Sequence, residues 1–274
     1  MMKKTYTIYG SSNHTTDIAF TLGIQFAKEG YKTAIVEIGE NNAQLAYQLG
    51  IEKQRVKTTE NYLHNHKKHN IEDYLINSQD IVEDFLSSEE KSLKTEIAKI
   101  PINLSMLLKK AEPQQLNFKE DEWEEIILKI KKEVLLHHDI IIFATTGRTF
   151  SFNVFFPTLY SDELLLVIED KPEDLRLMNQ FIIDMEKIKS NLSTKSIFLD
   201  YGINIENNDF NKTKINVIST FNLKNIRNLK LTTWEGYNRE IEEINNLTNK
   251  LLEIKVKKKF KIFKKKKEDK NELS

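Results

Sequence analysis

Seven residues near the start, Gly10, Ser11, Ser12, Asn13, His14, Thr15 and Thr16, carry the sharpest chemical suggestion in the chain. They join a short β-type run, Tyr6 to Tyr9, to a stripe at helical spacing, Ile18, Leu22 and Phe26. A helix start supplies backbone N–H groups and the positive end of a dipole, which suits phosphate. Catalytic phosphate loops add a lysine that reaches the phosphates and glycines that let the N–H groups converge. This loop has neither the lysine nor the glycines beyond Gly10. A plainer reading is a polar turn, with Thr15 or Thr16 capping the helix and Asp17 favouring its N-terminus. Two further groups belong with it. Glu37 ends the next strand, and Thr145, Thr146, Gly147 and Arg148 follow a later one. The C-terminal ends of parallel strands form the edge at which open α/β sheets bind ligands. Arg148 there could contact an anion or a partner subunit.

Other chemistry-bearing residues have blander readings. His64, His66 and His69 cluster, and His66 and His69 would share a helix face. With no acid or cysteine beside them, they read as part of a solvated charged segment, and no metal site is expected. Asp139 after His137 and His138 invites an acid–base pair, but a surface or capping role before the strand that follows fits better. There is no cysteine and no G-x-S-x-G, which excludes disulfides, thiolate sites, cysteine nucleophiles and a serine hydrolase elbow.

The charge is uneven. Across 274 residues 41 basic and 41 acidic side chains cancel, yet residues 255–274 hold ten lysines against three acids, so a +7 tail balances a −7 body. Within it Val256, Lys257, Lys258, Lys259, Phe260, Lys261, Phe263 and Lys264 would, if helical, put an apolar edge on a lysine-rich cylinder. That arrangement suits an anionic membrane surface. A disordered basic tail touching nucleic acid is the alternative, favoured less because phosphate contact has no use for two phenylalanines. The N-terminal apolar run is too short for a signal peptide, and no window approaches 18 uninterrupted apolar residues. The expected location is cytoplasmic, peripheral at the inner face of the cell membrane if the tail engages lipid.

The elements that must position these groups read as alternating strands and helices. Thr33 to Ile38 is a strand, and Ala43 to Leu49 a short helix ended by Gly50. Residues 71–115 look helical but irregular, with Leu104, Met106, Leu107 and Leu108 capping a core or forming a partner surface. Glu120 to Leu136 is an amphipathic helix with Trp123, Ile126, Ile127, Ile130 and Val134 inward. Ile140 to Ala144 is a buried central strand. Phe150 to Tyr160 is a helix broken at Pro157, and Leu164 to Ile168 a strand. The next helix opens at Pro172 and runs to about Ser190, with Leu175, Met178, Phe181, Ile182, Met185 and Ile188 inward. Strands follow at Ser196 to Leu199 and Lys214 to Ser219, with a turn-like Asn204 to Thr213 between them. Residues 221–233 read as loop, and Glu235 to Glu253 as a last helix. The fold class is α/β: a mostly parallel sheet covered by helices on both faces.

In this order the elements resemble the ParA/MinD family of deviant P-loop ATPases over about residues 3–220. The opening GSSNHTTDIAFTLGIQFAKEGYKTAIVEI is similar to that family's KGGxGKTT loop, its helix ending A-K-x-G, and a strand ending in aspartate. HDIIIFATTG is similar to its YDxIIIDTPPG strand. LLLVIED with KPEDLRLMNQ resembles its V-x-x-P segment leading a helix, and 214–219 its late strand near the base site. The resemblance implies a P-loop-like domain over 1–254, with a helical insertion at about 60–115, and a separate basic tail at 255–274. It also puts Thr15 at the loop lysine and Thr16 at the Mg²⁺-binding Ser/Thr, with Ser11, Ser12 and His14 on glycines. Gly10 falls at the signature lysine, Glu37 at the strand-2 aspartate, Gly39 at a second acid, and Phe143-Ala144 at the Walker B aspartate. Losing several charge-stabilising groups leaves little hydrolysis. The implied protein is a pseudo-ATPase with no cofactor needed and only weak Mg·ATP binding. It would be a scaffold that recruits or positions a membrane-associated machine of pilus, secretion or conjugation type, loosely like the CpaE/TadZ group. Protein partners in a larger assembly and a face-to-face homodimer go with that reading. A weak ATP-dependent dimerisation switch and a nucleic-acid-binding accessory protein are the alternatives.

Overall fold

The structure is a computed structural model that describes residues 3–12, 14–39, 43–51, 57–110, 116–147, 151–202, 213–222 and 242–252. Seven strands form one sheet: β1 (Lys4–Gly10), β2 (Thr33–Glu37), β3 (Leu104–Leu107), β4 (Ile140–Thr146), β5 (Glu163–Glu169), β6 (Ser193–Asp200) and β7 (Val217–Asn222). Their order is β3-β2-β4-β1-β5-β6-β7, and every neighbouring pair is parallel. Parallel strands need helical crossovers, which bury both faces of the sheet and explain the near-continuous apolar runs of β4 and β5.

The pleat divides those runs between two layers. Ile140, Ile142 and Ala144 face helix α1 (His14–Lys28), together with Leu165 and Val167 and the helical residues 242–252. Ile141 and Phe143 face α6 (Glu120–His137), which presents Trp123, Ile126, Ile127, Ile130 and Val134. Tyr9, Leu164, Leu166 and Ile168 pack on α8 (Pro172–Ile188) through Leu175, Met178, Phe181, Ile182 and Met185. Ile188 is not part of that stripe: at the last turn it is 54% exposed.

The region read as irregular helix holds more than helix. After α3 (Thr59–Asn65), it contains a 3-10 turn over Ile71–Asp73, α4 (Ser78–Asp80), a π turn over Ile81–Phe85 and α5 (Lys91–Ile97), then edge strand β3. Four apolar-rich residues fit a helical and an extended pattern equally; pairing with β2 from Thr33↔Leu104 to Val36↔Leu107 decides it. The outer side of β3 is covered by bridges Thr58↔Leu108 and Ile76↔Met106, which removes an open edge. Strand β7 lies three residues beyond its expected place and takes in 221–222. Residues 203–212, 223–241 and 253–274 lie outside the described residues.

Helix α7 (Phe152–Tyr160) continues through Pro157 instead of breaking. Proline removes one helical donor, but Val154, Phe156 and Pro157 are buried. The last carbonyls are served by side chains: Lys131 Nζ donates to Tyr160 O at 2.6 Å, and Lys189 Nζ to Leu159 O and Ser161 O at 2.9 and 2.6 Å. Cations at a helix C-terminus stabilise it through its dipole. No described helix is long and apolar enough to cross a membrane.

Candidate functional site

The C-terminal edge of the sheet gathers the loop after β1, the end of β2 and the end of β4, as the strand order requires. The loop from β1 turns directly into α1. Ser12 caps that turn: its hydroxyl accepts the His14 N–H at 3.1 Å, and its carbonyl accepts the Thr15 N–H at 3.1 Å. Thr15 and Thr16 lie inside the helix, so neither caps it, and Ser12 serves its first N–H groups. Thr15 is fully buried and its hydroxyl has no hydrogen-bond partner. It sits under Gly10, where an added Cβ would lie 2.5 Å from Thr15 Oγ1 and 2.7 Å from the Val167 carbonyl. Gly10 is therefore needed for space. Thr16 is buried as well.

Side chains of the chain itself occupy the surroundings of the loop. His14 turns back onto the first turn of its own helix, Nδ1 to Asp17 Oδ2 at 3.0 Å, and Gln48 donates to the other Asp17 oxygen. Both His14 and Asp17 are buried. That bond ties α1 to α2 (Gln44–Gln48). On the other flank Ser11 Oγ donates to Asp174 Oδ1 at 2.7 Å, and the Glu169 N–H to Asp174 Oδ2 at 2.7 Å. Burial raises the Asp174 carboxyl above its ordinary range. Burial also pushes Glu169 up, but hydrogen bonds with Lys171, Ser12 and Tyr201 and the Lys171 charge outweigh it and hold the carboxyl low. Two carboxylates thus stand against Ser11 and Ser12, where an anion would meet repulsion.

Glu37 is the most connected group of the edge. It is 3% exposed. Its Oε1 accepts the Gln44 and Leu45 N–H groups at 2.9 and 3.2 Å, and its Oε2 the Lys109 N–H at 3.1 Å. Burial pushes its carboxyl up to about 7, against the opposing pull of those N–H groups and the Lys109 charge. Lys109 Nζ donates to the Gly39 carbonyl, and Thr59 Oγ1 to the Glu37 carbonyl at 2.8 Å. Thr145 and Thr146 are the last residues of β4, not loop, and Gly147 follows with its N–H on the Gly10 carbonyl at 3.4 Å. Thr145 Oγ1 donates to Ile8 O at 3.0 Å. Asn13, Arg148 and the tail positions Val256 to Lys264 lie outside the described residues.

The remaining candidates fall elsewhere. Asp139 is buried at the opposite end of the sheet; its carboxylate accepts the Lys32 N–H at 3.0 Å, its N–H meets Lys32 O, and its carbonyl takes the Lys4 N–H. It is an internal clasp between strand starts rather than a surface acid. His138 is held by Val134 O and Ser105 Oγ, and burial lowers its pKa. His66 is not solvated: it is 5% exposed, with Nδ1 on Leu63 O at 2.7 Å. Helix α3 ends at Asn65, so His66 and His69 do not share a helix face, and His69 is exposed. Among the described residues no three His, Cys, Asp or Glu side chains could hold a metal ion.

Neither a protein-family model nor a curated protein sequence matches the chain. Solved structures share its fold. The cell division ATPase MinD of Pyrococcus furiosus superposes with a TM-score of 0.66 at 16% identity, covering 92% of this chain and 100% of that one. The MinC:MinD complex of Aquifex aeolicus gives 0.65 at 14%, covering 91% and 96%. A plasmid partition protein of Borrelia burgdorferi bound to AMPPNP gives 0.64 at 15%, covering 93% and 99%. At these identities the likeness shows the fold, and the chain has a ParA/MinD-like P-loop fold.

Proposed function

We propose that the chain is a non-catalytic ParA/MinD-like scaffold or localisation protein, a pseudo-ATPase that recruits or positions a membrane-associated machine of pilus, secretion or conjugation type. One observation carries the reading. Two of the first N–H groups of α1, those of His14 and Thr15, are already taken by Ser12. The absence of lysine and arginine from residues 10–16 supports it, as do the carboxylates of Asp174 and Glu169 against Ser11 and Ser12. An anion site at a helix start works through open N–H groups and positive potential, and both are opposed here. Protein partners fit the same reading, since MinD of this fold is found complexed with MinC; a homodimer is part of it.

Thermal unfolding with and without millimolar Mg·ATP tests it. The expected shift of the midpoint is under about 1 °C, because a ligand stabilises only through occupancy of the folded state. A rise of several degrees, or Mg²⁺-dependent phosphate release, sinks the scaffold reading. It would favour a weak ATP-dependent dimerisation switch, a reading encouraged by the AMPPNP bound to the Borrelia protein of the same fold.

For the tail we propose contact with an anionic membrane surface, at the inner face of the cell membrane, through Phe260, Phe263 and the flanking lysines. Co-sedimentation of the full chain with phosphatidylserine vesicles checks this. Phe260→Glu with Phe263→Glu is expected to cut pelleting at least tenfold, each buried CH₂ being worth about 0.8 kcal/mol. Undiminished pelleting removes the membrane proposal, and DNA retention that depends on the tail lysines promotes the nucleic-acid alternative.

A further inference from the structure

The sequence invites a pairing of His138 with Asp139, but the imidazole of His138 faces Ser105 and Glu72. Ser105 Oγ lies 3.1 Å from Nε2, and Glu72 Oε1 lies 3.7 Å from Nδ1. The Val134 carbonyl stands 3.3 Å from the same Nδ1. A carbonyl oxygen only accepts, so Nδ1 carries the ring proton. Nε2 is then the lone pair, and the Ser105 hydroxyl donates to it. Glu72 Oε1 is buried and has no hydrogen-bond partner, an acceptor held ready beside that Nδ1 proton.

Three elements set this row. His138 closes α6, with its N–H on Val134 O at 2.9 Å. Ser105 stands on β3, opposite Ala34 of β2. Glu72 belongs to the 3-10 turn Ile71–Asp73, which Asn70 caps by accepting the Glu72 N–H. Glu133 of α6 accepts the Ile71 N–H at 3.0 Å, and Ile76 exchanges two backbone bonds with Met106 at 2.9 and 2.7 Å. The segment that carries Glu72 is thereby pinned to α6 on one side and to β3 on the other. His138 is buried, whereas Ser105 is half-buried and keeps a face open to solvent.

We infer that Ser105 is an activated nucleophile that takes acyl groups from small activated esters, with His138 as its general base and Glu72 as the residue that positions the base. The Ser105 O–H bond breaks as Oγ bonds to the ester carbonyl carbon, and the proton passes to Nε2. The departing alkoxide takes that proton as its C–O bond breaks, leaving acyl-Ser105 and a neutral imidazole. Water, giving its proton to Nε2, then releases the carboxylic acid and restores the serine. Burial and the charges of His137 and Lys32 hold the imidazole below its ordinary pKa, against the opposing pull of Val134 O and Asp139, so the base is neutral at pH 7. Burial, with Glu133 and Asp73, raises the Glu72 carboxyl against the charge of His137. A carboxylate so placed gains most from an imidazolium that forms only during transfer. Lys32 is the standing cation near the ring, and it favours the negative charge that develops on the ester oxygen. Acyl transfer here lies at the opposite end of the sheet from residues 10–16. It is independent of the scaffold reading, which concerns ATP, and either can fail alone.

A fluorophosphonate and p-nitrophenyl acetate, each applied to the full chain near neutral pH, test this directly. The fluorophosphonate is expected to label Ser105 with loss of fluoride, the site being located by peptide mass. The ester is expected to release p-nitrophenolate faster than buffer does. Ser105→Ala is expected to lose both reactions. His138→Gln is expected to slow labelling about a hundredfold or more, the usual worth of a general base. Glu72→Gln is expected to slow it at least about tenfold and to move the His138 Nδ1 proton resonance upfield, which an acid with only a structural role would not do. If His138→Gln fails to fold, Glu72→Gln decides. Absence of label at Ser105 in the wild type, a labelling rate unchanged in His138→Gln, or a resonance unmoved in Glu72→Gln would each overturn the inference.

Discussion

Ala144→Asp is expected to cost about 3–5 kcal/mol of stability and to yield no ATPase. The resemblance leaves two places, Phe143 and Ala144, for the missing Walker B acid, and the pleat separates them. Phe143 faces α6, whereas Ala144 faces α1 on the loop side of the sheet. An aspartate at 144 would thus be the reconstructed acid. It would be unable to act as one. Ala144 is 1% exposed, and its register partners are Ile8 and Glu37. Lateral neighbours in a parallel sheet share a face, so a second carboxylate would be buried beside the first. Burying an unpaired charge costs several kcal/mol, and a like charge raises the cost. Adding Thr15→Lys does not rescue it, because position 15 is fully buried beneath Gly10. Urea denaturation gives the stability loss, and phosphate release gives the activity. A doubly substituted chain as stable as the parent and hydrolysing ATP would mean that the loop can reopen, against the scaffold reading.

The sequence made the central elements plain because each is long and strongly periodic. Strands β1, β4 and β5 and helices α1, α6 and α8 appear where the spacing of apolar residues puts them, and the common edge of residues 10–16, Glu37 and Thr145–Gly147 follows from parallel strands alone. What stayed hidden is whatever depends on pairing across the chain. Four residues, Leu104–Leu107, become strand only by lying beside β2. Lys109 was invisible as a site residue because its place at the edge follows from β3. Asp174 lies in the first turn of α8, and its oxygens hold Ser11 and the Glu169 N–H, 163 and five residues away, pairings that sequence spacing does not signal. Thr15 and Thr16 suit a cap by type; only the course of the backbone puts both inside the helix and gives its first N–H groups to Ser12. Glu37 shows the limit most clearly. By alignment it is a poor substitute for an aspartate, whereas its extra methylene belongs to a carboxyl that reaches α2 and Lys109 together.

Gly39→Ala is the second large effect, expected to cost at least 2–3 kcal/mol, since overpacking against fixed backbone has no cheap relief. Gly39 does not owe its place to a left-handed backbone; among the described residues the glycines with positive φ are Gly30, Gly50 and Gly202. It is needed for space. An added Cβ would stand 2.2 Å from the Thr146 nitrogen, 2.5 Å from Thr146 Oγ1 and 2.6 Å from Thr146 O. Two of those atoms are backbone of β4, so either the strand end or the β2 connection must shift, and the connection is tied down by Lys109 on the Gly39 carbonyl. Gly30 is the control. Its φ is +87° and nothing lies within 4 Å of its added Cβ, so Gly30→Ala pays only the conformational penalty, about 1 kcal/mol. Chemical denaturation of the two variants should therefore rank Gly39→Ala well below Gly30→Ala. The reverse ranking would show that the β2 connection is free to lift from Thr146. The same crowding accounts for the departure at this position: where the family resemblance calls for an acid, the approach of β4 leaves no room for any side chain.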